Sequence, residues 1–276
     1  MRDIGWHDAR FAAWKTSPPV PQAMQRARED LETYYQQPID AITQRYWGAR
    51  DHAEQPALDS HSLEAVYQAT EQYIYESTYF ECLEEYQSYY EILRAACVQF
   101  KRVPVLDFGG GAGGLTLALA SAGLPCDYAD IPGSTATYAA WRFRQHGCSV
   151  TVLDATQPLP VERYGAIITM DVFEHLPDLR ATLVALSTAL KPGGWLITRS
   201  TFADGDPLHL PQNLLYADIR VFNQLLESCG FRYRGRLRAD SLSEWRLKHW
   251  STSRAWRMWL DPKLKFGGRF VVHEKC

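Results

Sequence analysis

Residues Val105-Leu106-Asp107-Phe108-Gly109-Gly110-Gly111-Ala112-Gly113-Gly114 constrain the fold of this chain more than any other stretch: a short apolar run ends in an acid and then in glycines. Such a run predicts a buried strand, a tight turn and a helix, and a turn lacking side chains lets a ligand approach the backbone closely. Gly109, Gly111 and Gly114 by themselves satisfy a dinucleotide-type GxGxxG, a pattern of low specificity. The acid discriminates between ligands. A carboxylate at the strand end favours a ligand carrying an ammonium group and is badly placed beside a pyrophosphate.

From Val103 onward, short apolar runs alternate with helical segments, which predicts a parallel sheet with crossover helices. Strands are expected over 103–108, 126–129, 148–153, 165–170, 195–199, 231–238 and 269–273, and helices over 114–122, 134–145, 179–190 and 214–228. Between the last two strands lies a basic insert, 241–264, in which Trp245, Trp250, Trp256 and Trp259 interleave with Arg246, Lys248, Arg254 and Arg257. A nucleic-acid surface that stacks bases and binds phosphates would carry such a string. A helix packing its indoles inward with charges outward gives the same string, and this second reading is preferred.

The first hundred residues show no strand alternation and read as helical, with breaks at Ser17-Pro18-Pro19-Val20-Pro21, Pro38 and Pro56. One helix is expected from a cap at Ser60 or Ser62 through Leu63, Val66, Tyr67, Thr70, Tyr73 and Ile74. After Glu76-Ser77-Thr78 a second is expected to align Tyr79, Leu83, Tyr86, Tyr90 and Leu93 on one face, where the phenols pack on the main domain or line a substrate pocket. This divides the chain into a helical amino-terminal cap, 1–100, and a sheet domain, 101–276, that carries the insert.

With 46% hydrophobic and 22% charged residues over 276 positions, the chain can bury a sizeable core, which argues against disorder. The stretch 115–124 is about half the ~20 apolar residues that a membrane span needs, so no span is expected. Asp3, His7, Asp8 and Arg10 stand where a signal peptide would be apolar, and the cytoplasm is the expected location. Six cysteines without a CxxC read as reduced thiols. Charge is polarised: residues 1–100 carry 8 Lys+Arg against 16 Asp+Glu, and residues 231–276 carry 12 against 4. Such asymmetry fits either a nucleic-acid-binding tail or two ends that pack together, and packing is preferred.

Read with its acid, the turn is Asp107-x-Gly109-x-Gly111-x-Gly113, which resembles the first motif of class I S-adenosylmethionine-dependent methyltransferases. The resemblance continues in Asp130-Ile131 after the second strand and in Asp154-Ala155 after the third. It extends to Asp171-Val172-Phe173-Glu174-His175-Leu176 and to Leu190-Lys191-Pro192-Gly193-Gly194, both similar to the ubiquinone and small-molecule branch of that family. It covers about residues 101–240. It implies an α/β fold: a Rossmann-like seven-stranded class I sheet with helices on both faces, closed by an antiparallel last strand and preceded by the helical extension. S-adenosylmethionine would bind at Asp107, Gly109, Gly111, Gly113, Asp130, Ile131, Asp154, Ala155 and Asp171. Asp130 would hold the ribose hydroxyls and Asp154 would lie near the adenine amino group.

The implied activity is methyl transfer to a small-molecule acceptor, through a hydroxyl or other nucleophile of an aromatic or apolar metabolite. His175 and His209 are the candidate bases, each with an alternative reading as a structural histidine. In the ubiquinone O-methyltransferases a Glu and Glu-His cluster binds a divalent metal, and Asp171, Glu174 and His175 are the corresponding candidates; whether a metal assists here stays open. The alternatives are an RNA or protein methyltransferase, a non-catalytic cofactor-binding partner subunit and, more remotely, a nicotinamide oxidoreductase. The absence of an (Asn/Asp)-Pro-Pro-aromatic run after the fourth strand argues against a nucleic-acid substrate.

Overall fold

The computed structural model describes residues 19–46, 71–202, 209–239, 245–248 and 270–276. Strands that are apolar on both faces take central places in a parallel sheet. Accordingly β1 (Val105–Phe108) is buried throughout, as is β4 (Tyr164–Met170) except at Met170. Flanking them, β2 (Cys126–Asp130), β3 (Thr151–Asp154) and β5 (Leu190–Arg199) complete a parallel set in the order β3-β2-β1-β4-β5. Past β5 the direction reverses. β8 (Phe270–Lys275) lies antiparallel between β5 and β6 (Phe231–Ala239), so the closing antiparallel strand is where the family resemblance places it.

One strand is additional. β7 (Trp245–Lys248) pairs antiparallel with β6 at the sheet edge, making eight strands among the described residues. The helix expected across the insert is therefore corrected for these four residues: Trp-Arg-Leu-Lys is compatible with either structure, and its backbone bonds to Arg236–Ala239 of β6 make it a strand. Trp250, Trp256 and Trp259, like the helix expected to begin near Ser60, lie outside the described residues.

Before β1 run α1 (Pro21–Tyr35), α2 (Ile39–Tyr46), α3 (Gln72–Glu81) and α4 (Glu84–Gln99). The helix break expected at Glu76-Ser77-Thr78 falls instead at Cys82-Leu83, because Thr78 Oγ1 donates to the Ile74 carbonyl inside α3 and so does not cap a new helix. α5 (Gly114–Ser121) and α6 (Ser134–Gln145) follow β1 and β2, and α7 (Leu179–Ala189) precedes β5. The helix expected over 214–228 is shorter. Pro211–Ala217 forms a 3-10 helix, and α8 (Ile219–Ser228) starts after Asp218, whose side chain accepts the Arg220 N–H as an N-cap.

The chain divides into two compact units: Met1–Glu91 with Gly111–Ala118 and Ile131–Ser149, and Ile92–Gly110 with Leu119–Asp130 and Val150–Cys276. Each has its own apolar cluster. In the unit holding the sheet, Leu106, Ile167, Leu196, Phe173, Leu183, Leu186, Phe222 and Leu226 pack together, and burying each such side chain is worth about 1.5–3 kcal/mol. In the other, Leu31, Ile42, Ile74, Leu83, Tyr75 and Tyr138 form the centre. The single Tyr-rich face expected over Tyr79, Leu83, Tyr86, Tyr90 and Leu93 is divided instead: Tyr79 ends up in α3, Leu83 in the break, and Tyr86, Tyr90 and Leu93 in α4, with all but half-buried Tyr86 buried. Among the described residues no helix is long and apolar enough to cross a membrane.

Candidate active site

In a parallel sheet all strands end on one edge, and ligands collect there where the strand order reverses. Here that point lies between β1 and β4, since the chain runs from β1 outward to β3 and then returns to the other side of β1. The acids singled out in the sequence fall on this edge. Asp107 is the buried third residue of β1, Asp130 ends β2, Asp154 ends β3 in register with Asp130, and Asp171 directly follows β4.

The turn after β1 is built for close approach. The Gly109 N–H donates to the Ala129 carbonyl at 2.8 Å, tying the turn to β2, and Gly109 adopts a left-handed φ of 72°. A Cβ on Gly110 would lie 2.7 Å from the Tyr128 ring and 2.9 Å from Asp107 Oδ2. Both neighbours are buried and cannot retreat, so only glycine fits. Asp154 Oδ1 accepts from the Thr156 N–H at 2.8 Å and from its hydroxyl at 2.6 Å, the bonding of a turn-forming acid.

A second group of side chains gathers past β4. Asp171, in left-handed backbone (φ 53°), ion-pairs with Arg199 and donates its N–H to the Arg199 carbonyl. Next, Phe173–His175 forms a 3-10 turn that brings Glu174 into the interior, 1% exposed. Glu174 Oε1 accepts the Thr201 N–H at 2.8 Å, whereas Oε2 has no hydrogen-bond partner among the described residues. Burial, with the Asp171 charge adding to it, pushes the Glu174 carboxyl up to about 7.

His209 reaches this group because the Leu210 N–H donates to the Glu174 carbonyl at 3.0 Å and buried Asn213 donates to the carbonyls of Phe173, Glu174 and Leu176. The His175 and His209 rings lie 5.1 Å apart, and one donor atom from each of Glu174, His175 and His209 fits within a 4.8 Å group. One carboxylate and two imidazoles make a donor set suited to a divalent cation. It differs from the Asp171, Glu174 and His175 set expected from the resemblance, since Asp171 is engaged by Arg199 and His209 takes the third position. Arg199, Thr201 and Asn213 were not legible as site residues: each acts on a partner 27 or more positions away, and no local pattern marks them.

A family model described as a methyltransferase domain matches residues 80–261, more than half of the chain. The chain belongs to the methyltransferase domain family. It is 32% identical over 110 residues to the ubiquinone biosynthesis O-methyltransferase of Bordetella avium, covering 37% of this chain and 43% of that protein. It is 33% identical over 97 residues to the enzyme of the same name from Paramagnetospirillum magneticum, covering 34% and 39%. The matches thus span about two fifths of the length of these curated relatives. Among solved structures, a proposed O-methyltransferase of Nostoc punctiforme PCC 73102 superposes with a TM-score of 0.50 at 12% identity, covering 74% of this chain and 60% of that one, a likeness of fold.

The cofactor that membership in this methyltransferase family implies is S-adenosylmethionine. The residues fit it: a glycine turn that a Cβ would fill, a buried carboxylate at the end of β1 suited to an ammonium group, and carboxylates ending β2 and β3 suited to hydroxyl and amino donors.

Proposed function

We propose that this protein transfers the methyl group of S-adenosylmethionine to a small molecule, through a hydroxyl or comparable nucleophile of an aromatic or apolar metabolite. The observation that carries this reading is the convergence of Glu174, His175 and His209 past β4, beside the strand ends that bear the cofactor acids. When bound, the sulfonium supplies a methyl group already activated for displacement, so the protein's work is to align the acceptor behind it and exclude water. Such positioning is worth about 7–11 kcal/mol. Asp107 and Asp130 orient the cofactor. His175 would take the acceptor proton, and the cofactor would supply the methyl group and leave as the neutral thioether. Glu174, held by the Thr201 N–H, fixes the turn that presents His175. The same three donors would hold a divalent cation, whose part would be to orient a chelating acceptor and polarise its oxygen.

The test is methyl transfer from labelled S-adenosylmethionine to hydroxylated aromatic compounds, with RNA and protein as parallel acceptors. Label is expected in the small molecules alone; label confined to RNA or protein would move the reading to those substrates, and label in none would favour a non-catalytic binding subunit. A second expectation concerns the ribose acid. Asp130→Ala removes charge-assisted bonds worth about 1.5–3 kcal/mol each, so calorimetry should show S-adenosylhomocysteine affinity falling at least about tenfold with an unchanged melting profile. Unaltered affinity would mean that Asp130 does not contact the ribose.

A further inference from the structure

Arg142 of α6 collects partners from three distant parts of the chain. Its Nε donates to Asp30 Oδ2 of α1 at 2.9 Å, and its Nη1 donates to Glu81 of α3 at 2.9 and 3.2 Å and to the Ala112 carbonyl at 2.7 Å. All three charged side chains are almost fully buried. Ala112 lies in the glycine turn, between Gly111 and Gly113. The contact with the turn is double, because Glu81 also accepts the Gly114 backbone N–H. A Cβ on Gly114 would sit 2.2 Å from Glu81 Cδ, so the last glycine of the turn is what admits the carboxylate. On its far side Asp30 Oδ1 meets His146 Nε2 at 2.8 Å, and the Tyr138 ring lies 5.5 Å from the guanidinium carbon.

A buried ion triad is poor value as a pure stabiliser, since desolvating three charges offsets most of their attraction. What this one does provide is direction: a planar guanidinium fork fixes two carboxylates and a carbonyl at once, and two of the resulting bonds end on turn backbone. We propose that Arg142 is a positioning residue for the cofactor: with Asp30 and Glu81 it holds the Ala112–Gly114 half of the turn in its ligand-accepting conformation. The helices preceding β1 thereby belong to the cofactor-binding apparatus through two carboxylates that they alone supply. This rests on the assignment of the turn to S-adenosylmethionine.

The experiment compares Arg142→Lys with Ile42→Ala, a core truncation in the same apolar cluster that removes none of the hydrogen bonds made by Arg142. Lysine keeps the charge but cannot bridge two carboxylates and a carbonyl in one plane. By calorimetry, Arg142→Lys is expected to weaken S-adenosylhomocysteine binding about 5- to 150-fold. Ile42→Ala should lower the melting temperature and leave affinity within about twofold of the parent. Near-parental affinity in a folded Arg142→Lys protein would overturn the proposal, as would an equal loss in Ile42→Ala, which would make the effect one of stability alone.

Hydrogen exchange on the unsubstituted protein decides the matter if Arg142→Lys does not fold. Saturating S-adenosylhomocysteine should slow exchange in α1 around Asp30 and in α6 around Arg142 together with the turn. Protection limited to the turn would overturn the proposal. A parent protein that binds no S-adenosylhomocysteine would overturn the cofactor assignment, and this proposal with it.

Discussion

Replacing His175 with alanine is expected to lower methyl transfer about 10²- to 10⁴-fold while leaving S-adenosylhomocysteine affinity close to that of the parent. The expectation follows from where the ring stands: on the 3-10 turn past β4, 5.1 Å from the His209 ring and beside a buried carboxyl, and not on the glycine turn proposed to accept the cofactor. Initial rates with a methylated acceptor, paired with calorimetry of the same variant, separate the chemical step from cofactor binding. Chelator and His209→Ala distinguish the two ways in which the group can work. For a proton-accepting His175, chelator leaves the rate unchanged and His209→Ala costs less than His175→Ala. For a cation held by Glu174, His175 and His209, chelator abolishes activity and both histidine variants lose it alike. Normal turnover by both variants would contradict either role.

A second large effect is expected at Glu174. Its carboxyl is pushed from an ordinary 4.5 up to about 7 in the folded protein, chiefly because it is buried. Between those values the native state binds more protons than the unfolded chain, so stability falls as pH rises through this window, and the full cost is reached above about pH 7. At about 1.4 kcal/mol per unit, the cost is roughly 3 to 3.5 kcal/mol. Glu174→Gln removes the charge and keeps an oxygen for the Thr201 N–H. Urea unfolding should therefore find the variant more stable than the parent at pH 8, by up to about 3.5 kcal/mol, and lacking that advantage at pH 5. A difference between the two proteins that is the same at both pH values would mean that Glu174 is not a buried, proton-holding carboxyl.

Both residues come from a motif that is visible in the sequence, and much of the sheet is visible as well. The apolar runs that became β1, β2 and β4 are short, continuous and bounded by glycine or acids, which leaves little freedom in where a central parallel strand can lie. The expected limits of α6, 134–145, coincide with those found. Departures occur where a local pattern supports two structures. The Trp-Arg-Leu-Lys of β7 has too few residues to separate a period of two from one of 3.6, and only its pairing with β6 decides. The stretch preceding α8 is apolar enough for a longer helix, yet Asp218 starts the helix late by capping it.

Within the site, Asp107 could be placed because it ends an apolar run before the glycines, and Asp130 and Asp154 because the family resemblance ties an acid to the end of each following strand. Arg199, Asn213 and Arg142 could not. Arg142 meets Asp30 across 112 positions, and an arginine in an amphipathic helix reads as a solvated face until its partners are known.

The central claim is that the edge formed by Asp107, the glycine turn and Asp130 is shaped for S-adenosylmethionine and not for a dinucleotide. Calorimetric titration of the purified protein with S-adenosylhomocysteine, and separately with NAD, tests it most directly. Saturable one-to-one binding of S-adenosylhomocysteine with no heat from NAD is the predicted result, since the buried Asp107 carboxylate suits an ammonium and opposes a pyrophosphate. Tight binding of NAD with no response to S-adenosylhomocysteine would contradict it.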